Sequence, residues 1–382
     1  MFPEPGARLS RFETPVQVNP REFLQSRILT GSMPDEYIWD STIADIVSGL
    51  AHHYMDHDIF PAFSGVSELK FSAHILTTAI LAGVVSPVAF AQSNAPFTVA
   101  ENGQRFYSLS EAVEAIGARK GTIVIAPGAY GDCAVQTEGQ ITYRAAVPGK
   151  AILDGGICEG KAALVLRGRS AIVDGIIFQN QRVPDGNGAG IRLERGNLTI
   201  TNALFRNSEQ GLLTADDASG NIVIDRSTFQ RLGRCDRGLS CAHSIYIGDY
   251  GSLIVTNSRF EKGNGGHYVK SRAPRITVTN SSFDDTQGRT TNYMIDLPAG
   301  ASGVISGNVF VQGQNKENWS AFVAIAAEGR KHSSAGLNIH SNSASLAKGV
   351  ERKTWFVADW SGDKMRIANN SLGRGLTRYE KR

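Results

Sequence analysis

One strand pattern keeps returning along this chain, and it constrains the fold more than any other feature. Short apolar segments ending in Phe recur at Phe178, Phe205, Phe229, Phe260, Phe283 and Phe310, separated by 27, 24, 31, 23 and 27 residues. Four of them close the segments NLTITNALF, NIVIDRSTF, SLIVTNSRF and RITVTNSSF, whose apolar and polar residues alternate. Alternation with period two turns one set of side chains inward and the other toward solvent. A unit of this length cannot bury its apolar face alone, so successive units must stack. Asn202, Asn257 and Asn280 stand three residues before their Phe, where the chain must turn. Asn tolerates left-handed backbone angles, and stacked amides can bond from one coil to the next. The pattern predicts an all-β solenoid with coils about 4.8 Å apart. So regular a unit argues against an antiparallel sandwich.

Over residues 103–372 this repeat resembles the right-handed parallel β-helix proteins of the pectate lyase-like superfamily, which includes polygalacturonases and the chondroitin and alginate lyases. The resemblance implies the fold far more narrowly than the chemistry, because that scaffold carries lyases, hydrolases, epimerases and adhesins. Ahead of the repeat, Ser108 and Glu111 form a capping-box pair, and Leu109, Ala112, Val113 and Ile116 follow helical spacing. A short N-terminal helix is expected to cover the open end of the first coil, whose free edge would otherwise pair with other chains.

Charge and targeting signals point to export. Residues 68–91 read as a signal peptide, with Lys70 ahead of an apolar stretch and Ala89-Phe90-Ala91 before Gln92. Ser86 and Pro87 interrupt the stretch and argue against a retained anchor. Residues 1–67 lack periodicity and read as an unstructured extension from a start placed too early, and residues 92–382 read as the β-helix domain. A periplasmic or secreted location is therefore expected. Residues 1–91 hold 5 Lys and Arg against 10 Asp and Glu, and the remainder holds 34 against 26. That basic balance suits an acidic polysaccharide as partner, although it is also an ordinary solubility charge. Scattered basic residues on an exported chain give no support for nucleic-acid binding, no membrane span is expected after signal cleavage, and the protein is expected to be a monomer. Among the pairings open to Cys133, Cys158, Cys235 and Cys241, the first with the second would join neighbouring coils and the third with the fourth would pin a loop.

Candidate chemistry follows from aligning the strands GIRLERGN, TADDASGN, SIYIGDYGS, HYVKSRAPR and YMIDLPAGAS. With Ile191, Ala215, Ile245, Val269 and Ile295 inward, Arg192, Asp216, Tyr246, Lys270 and Asp296 form one outward ladder. Glu194 and Arg272 face the same way two residues on, and His243 and His267 stack three residues before the ladder. Cleavage of a uronate chain by β-elimination needs cations for the sugar carboxylate, a base for the C5 proton and an acid for the leaving oxygen. Lys270 suits the base, Arg272 the carboxylate clamp, and Tyr246, His243 or His267 the leaving group, with Arg192, Asp216 and Asp296 binding substrate. The Lys-Ser pair of GHYVKSRA is similar to the Lys-Ser rung of the chondroitinase B and alginate lyase family, which implies that Lys270 abstracts the proton. That family has an Arg in the following coil where this chain has Asp296, and a carboxylate there opposes the low pKa a base requires. Alternating charges on such a ladder also serve simply as cross-strand pairs.

Two other classes compete. TADDASGN and GNGGHYVKS resemble elements of polygalacturonase-like hydrolases, with Asp216 and Asp217 as acid and base and His267 nearby. A non-catalytic glycan-binding or cell-surface β-helix would use the same polar ladder for adhesion. No cofactor is required, although Asp216, Asp217, Asp249 and Asp296 offer oxygen ligands suited to calcium. Insertions at residues 235–242 and 312–319 interrupt the period and are expected to wall a groove beside the ladder, or to be plain insertions.

Overall fold

The computed structural model describes residues 95–382, a parallel β-helix; the signal segment and the extension before it lie outside the described residues. Each coil gives one strand to each of three sheets, as in Asn197–Thr201, Leu204–Arg206 and Gln210–Thr214, after which Asp217–Asp225 returns to the first sheet. The first sheet has twelve strands and the second and third have ten each. Within every sheet a strand pairs in parallel with the strand one coil away. At the N-terminal end, Phe97–Val99 and Gln104–Phe106 add an antiparallel pair to the first sheet. The coils also run past the expected limit of residue 372, because Leu376–Lys381 pairs with Thr354–Asp359.

The recurring Phe residues become a single column. Phe178, Phe205, Phe229, Phe260, Phe283 and Phe310 stack with ring centroids 4.8 to 4.9 Å apart, all within the interior. That spacing is the separation of hydrogen-bonded strands, so backbone pairing and ring stacking impose the same repeat. The capping helix is present as Leu109–Ile116, with the Ser108 and Glu111 box formed and the four apolar residues buried against the first coil.

Corner geometry departs from the expected amide stack in an instructive way. Asn202, Asn257 and Asn280 do adopt φ of 52, 50 and 52°, and the equivalent positions hold Arg226 at 46° and Gly175 and Gly307 at 73 and 67°. Because that position is shared by Asn, Arg and Gly, the Asn amides cannot form a continuous ladder. Asn202 and Asn257 instead donate to Asp174 and Asp225 one coil earlier, each at 2.8 Å. The ladder lies one residue further on. Ser227, Ser258 and Ser281 each accept the backbone N–H of the preceding coil at 3.1 to 3.2 Å. Asn308, Asn342 and Asn370 continue it with amide-to-amide bonds of 3.0 and 2.9 Å. These bonds satisfy corner N–H groups that would otherwise be buried unpaired.

The four cysteines form Cys133–Cys158, bridging adjacent coils, and Cys235–Cys241, closing the 235–242 loop. The 312–319 insertion is tied to the coil through Lys316, whose fully buried Nζ lies 3.1 Å from Asp285 Oδ2 and 3.0 Å from Thr291 Oγ1. Truncating one member of the Phe column should be costly because its neighbours are held at strand spacing and cannot collapse into the gap. Phe229→Ala is expected to lower unfolding stability by about 3–5 kcal/mol in denaturant titration.

Candidate functional site

Inward Ile245, Val269 and Ile295 fix which residues of the third sheet face outward. In register with one another are Tyr246, Lys270 and Asp296, as expected. The ladder does not extend to Asp216. The strand Gln210–Thr214 places Leu212 opposite Ile191 and Ile245, and Leu213 opposite Arg192 and Tyr246. The expected alignment was three residues out because Ala215 was placed inward, whereas Leu212 fills the interior better. Leu213 therefore separates Arg192 from Tyr246, and Arg192 lies 3.9 Å from Glu194. Glu194, three coils from Arg272, in turn bonds Lys161 and Arg167. Asp216 sits beyond the strand end, where Oδ1 accepts the Asp249 N–H at 2.7 Å. Asp217 accepts from Ser219 and from the Gly196 N–H.

His243, Tyr246, His267, Lys270, Arg272 and Asp296 do converge. The imidazoles of His243 and His267 lie 4.9 Å apart, and Tyr293, at the same offset in the next coil, continues the stack at 5.6 Å. His243 Nδ1 accepts the His267 N–H at 3.0 Å, which places its own proton on Nε2. Arg272 Nε donates to the Tyr246 hydroxyl at 3.1 Å, and Lys270 Nζ lies 5.7 Å from the Tyr246 ring centroid. Asp296 Oδ2 is 3.4 Å from both Lys270 Nζ and His267 Nε2.

A residue that no sequence signal marked completes the cluster. Glu328, in the loop 327–333, gives one carboxylate oxygen to Lys270 and the other to Arg272. It lies 58 and 56 positions from its partners, outside any repeated strand, so neither spacing nor alternation could reveal it. Tyr293 was legible, since it shares the offset of the two histidines. The 327–333 loop overlies this face. Beside Glu328 a cavity of about 210 Å3 is lined by Asp216, Asp249, Arg272, Pro298, Ala299, Glu328, Gly329 and Lys331. Lys331 and His332 bond Asp249 at its far side.

Lys270 points away from the solenoid interior, yet its neighbours leave it 8% exposed, and Asp296 is 2% exposed. Burial pushes the Asp296 carboxyl up to about 6, outweighing the nearby Lys270 cation. Burial, reinforced by Lys270, brings His243 down to about 3 and His267 well below its ordinary value. For Glu328 burial acts upward, but the bonds from Lys270 and Arg272 hold it below the usual range. At neutral pH the face thus presents two cations aimed at one carboxylate, backed by uncharged imidazoles and a readily protonated acid. Among the described residues no three His, Cys, Asp or Glu side chains are grouped to hold a metal ion.

The chain matches the family described as a right handed beta helix region over residues 157–372, more than half its length. It belongs to that family. This β-helix protein is also similar in structure to ORF18 of Geobacillus virus E2, at 13% identity and a TM-score of 0.46, over 71% of this chain and 57% of that one. It therefore spans little more than half of that protein. No curated protein matches the sequence. Among the described residues no helix is long and apolar enough to cross a membrane.

The position of Asp296 has a measurable consequence. Its folded-state value lies above the ordinary 3.8, so its favourable contribution is present below about pH 4 and is lost as pH rises through about 6. Asp296→Asn removes that dependence. The stability of the wild type relative to this variant is expected to fall by up to about 3 kcal/mol between pH 4 and 6.5, read by denaturant unfolding at each pH.

Proposed function

We propose that this β-helix protein is exported and acts on an acidic polysaccharide, cleaving a uronate-containing chain by β-elimination on the outer face of the third sheet. One observation carries the reading: Lys270 and Arg272, with the Tyr246 hydroxyl bonded to Arg272, converge on a single carboxylate. Two cations in a shielded groove bind a carboxylate far more strongly than scattered surface charges do. The export signal in the sequence and two disulfides, which persist in an oxidising compartment, support the location.

In this reading the sugar carboxylate binds Lys270 and Arg272, and their charge stabilises the negative charge that develops as the C5 proton leaves. The C5–H electron pair forms the C4–C5 double bond, and the C4–O bond breaks as its oxygen gains a proton. Lys270 serves as a cation rather than as the base, because Asp296 and Glu328 both bind its Nζ. Tyr246, which borders both cations, is then the group that, as its phenolate, takes the C5 proton and passes it to the leaving oxygen. Asp296 lies behind and holds Lys270 in place, with His267 Nε2 on the same carboxylate oxygen.

Hydrolysis is a second reading with its own support. Asp296 is raised and Glu328 lowered while both bind Lys270, and carboxyl groups driven apart in this way divide into acid and base. The burial of Asp296 places this reading second. The pair Asp216 and Asp217 favours it less, since both are already bonded to neighbouring groups.

Incubation with a panel of uronate-containing glycans separates the classes. Ultraviolet absorbance from an unsaturated product is expected; new reducing ends without it would indicate hydrolysis, and retention of glycan with neither would indicate a binding module. Lys270→Ala and Tyr246→Phe are each expected to lower kcat/KM by about 10²–10³-fold. Full activity in Lys270→Ala would remove the site from the reaction.

A further inference from the structure

The loop 327–333 reaches back over the cation pair and the cavity beside it. The backbone is held just before the loop by Ala326 N–H to Leu297 O at 2.8 Å, and within it by Glu328 N–H to Pro298 O at 3.0 Å and His332 N–H to Ala299 O at 2.8 Å. Between the last two points Glu328, Gly329 and Lys331 line the cavity. Lys331 and His332 pair with Asp249, and Arg330 Nε donates to Trp360 O at 2.7 Å. The loop is therefore anchored independently of Glu328. At about 30 Å3 per water the cavity holds on the order of seven waters, so it is a space with room for a polar group.

Glu328 differs from its partners in exposure. Its side chain is 44% exposed, against 10% for Lys270 and 31% for Arg272. A half-exposed carboxylate can rotate into solvent without moving the loop backbone, whereas the nearly buried Lys270 cannot follow it. Once it left, among the described residues Lys270 would keep Asp296, at 3.4 Å, and Arg272 the Tyr246 hydroxyl, with the Tyr246 ring 5.7 and 5.9 Å from the two cations. Those two cations would then need an anion from outside.

We infer that the cavity beneath this loop, with Arg272 in its lining and Lys270 bound to the Glu328 that also lines it, is the seat of a carboxylate-bearing sugar residue, and that Glu328 is a tethered plug which such a sugar displaces. This deepens the glycan reading above and rests on it. A tethered carboxylate competes at a high effective concentration, so the apparent affinity for the free ligand is reduced by the fraction of molecules that are plugged. The competition is carboxylate against carboxylate, so neutral sugars gain nothing from removal of the plug. A monoanionic side chain held by two cations also leaves the seat matched to one carboxylate per sugar.

The test compares wild type with Glu328→Gln by calorimetric titration of trigalacturonate, trimannuronate and an unsulfated chondroitin tetrasaccharide, with maltotriose as neutral control. If about nine molecules in ten are plugged, at least one uronate binds Glu328→Gln about tenfold more tightly than wild type while maltotriose is unchanged. Adding Arg272→Ala to Glu328→Gln is expected to abolish that gain. Uronate binding that Glu328→Gln leaves unchanged or weakens overturns the plug alone. A gain that persists without Arg272 overturns the seat at this cation pair. Binding of no uronate by either protein overturns the seat and the glycan reading together.

Discussion

Hydrogen bonding between parallel strands of successive coils is the constraint on which everything else in this molecule depends. It sets a rise near 4.8 Å per coil, and every other column must conform to it, from the Phe rings of the interior to the Ser and Asn side chains of the corner. Conformity has an energetic reason. A side chain that matches the backbone repeat stacks on its neighbours without strain and satisfies corner N–H groups across coils, while one that does not must leave the column. Arg226 at the left-handed corner position shows the tolerance of the scheme: one awkward residue is accepted because neighbouring coils hold the turn in place.

The same repeat assembles the cluster on the third sheet. Residues some two dozen positions apart become direct neighbours, so His243, His267 and Tyr293 stack while Tyr246, Lys270 and Asp296 pair in register. Proximity of this kind concentrates charge. Asp296 is drawn toward its protonated form and both histidines toward their neutral form because they share a space from which water is largely excluded. Glu328 relieves the remaining excess of positive charge at the rim. The face is therefore electrostatically balanced in the absence of ligand, and it is balanced by its most exposed member.

How far the sequence could be read follows from where each residue lies relative to the repeat. Alternation in strands such as RITVTNSSF determined the inward Ile276 and Val278, and the Phe spacing determined the solenoid. It determined the convergence of His243, Tyr246, His267, Lys270 and Asp296, because two fixed offsets from the inward apolar residues place them, one residue after for Tyr246, Lys270 and Asp296 and two before for the histidines. It failed at Asp216. There, GLLTADD offered two plausible inward residues, and only packing chose Leu212 over Ala215.

What the sequence by itself determined is thus everything with a period: the stacking, the inward and outward faces, the capping helix and the rungs of the polar ladder. What only the tertiary structure decided lacks a period. The 327–333 loop brings Glu328 onto Lys270 and Arg272, and burial then sets the protonation of Asp296 and the imidazoles. A repeat can be read locally because each coil resembles the next, whereas a loop contact across more than fifty residues depends on where the whole backbone places its ends.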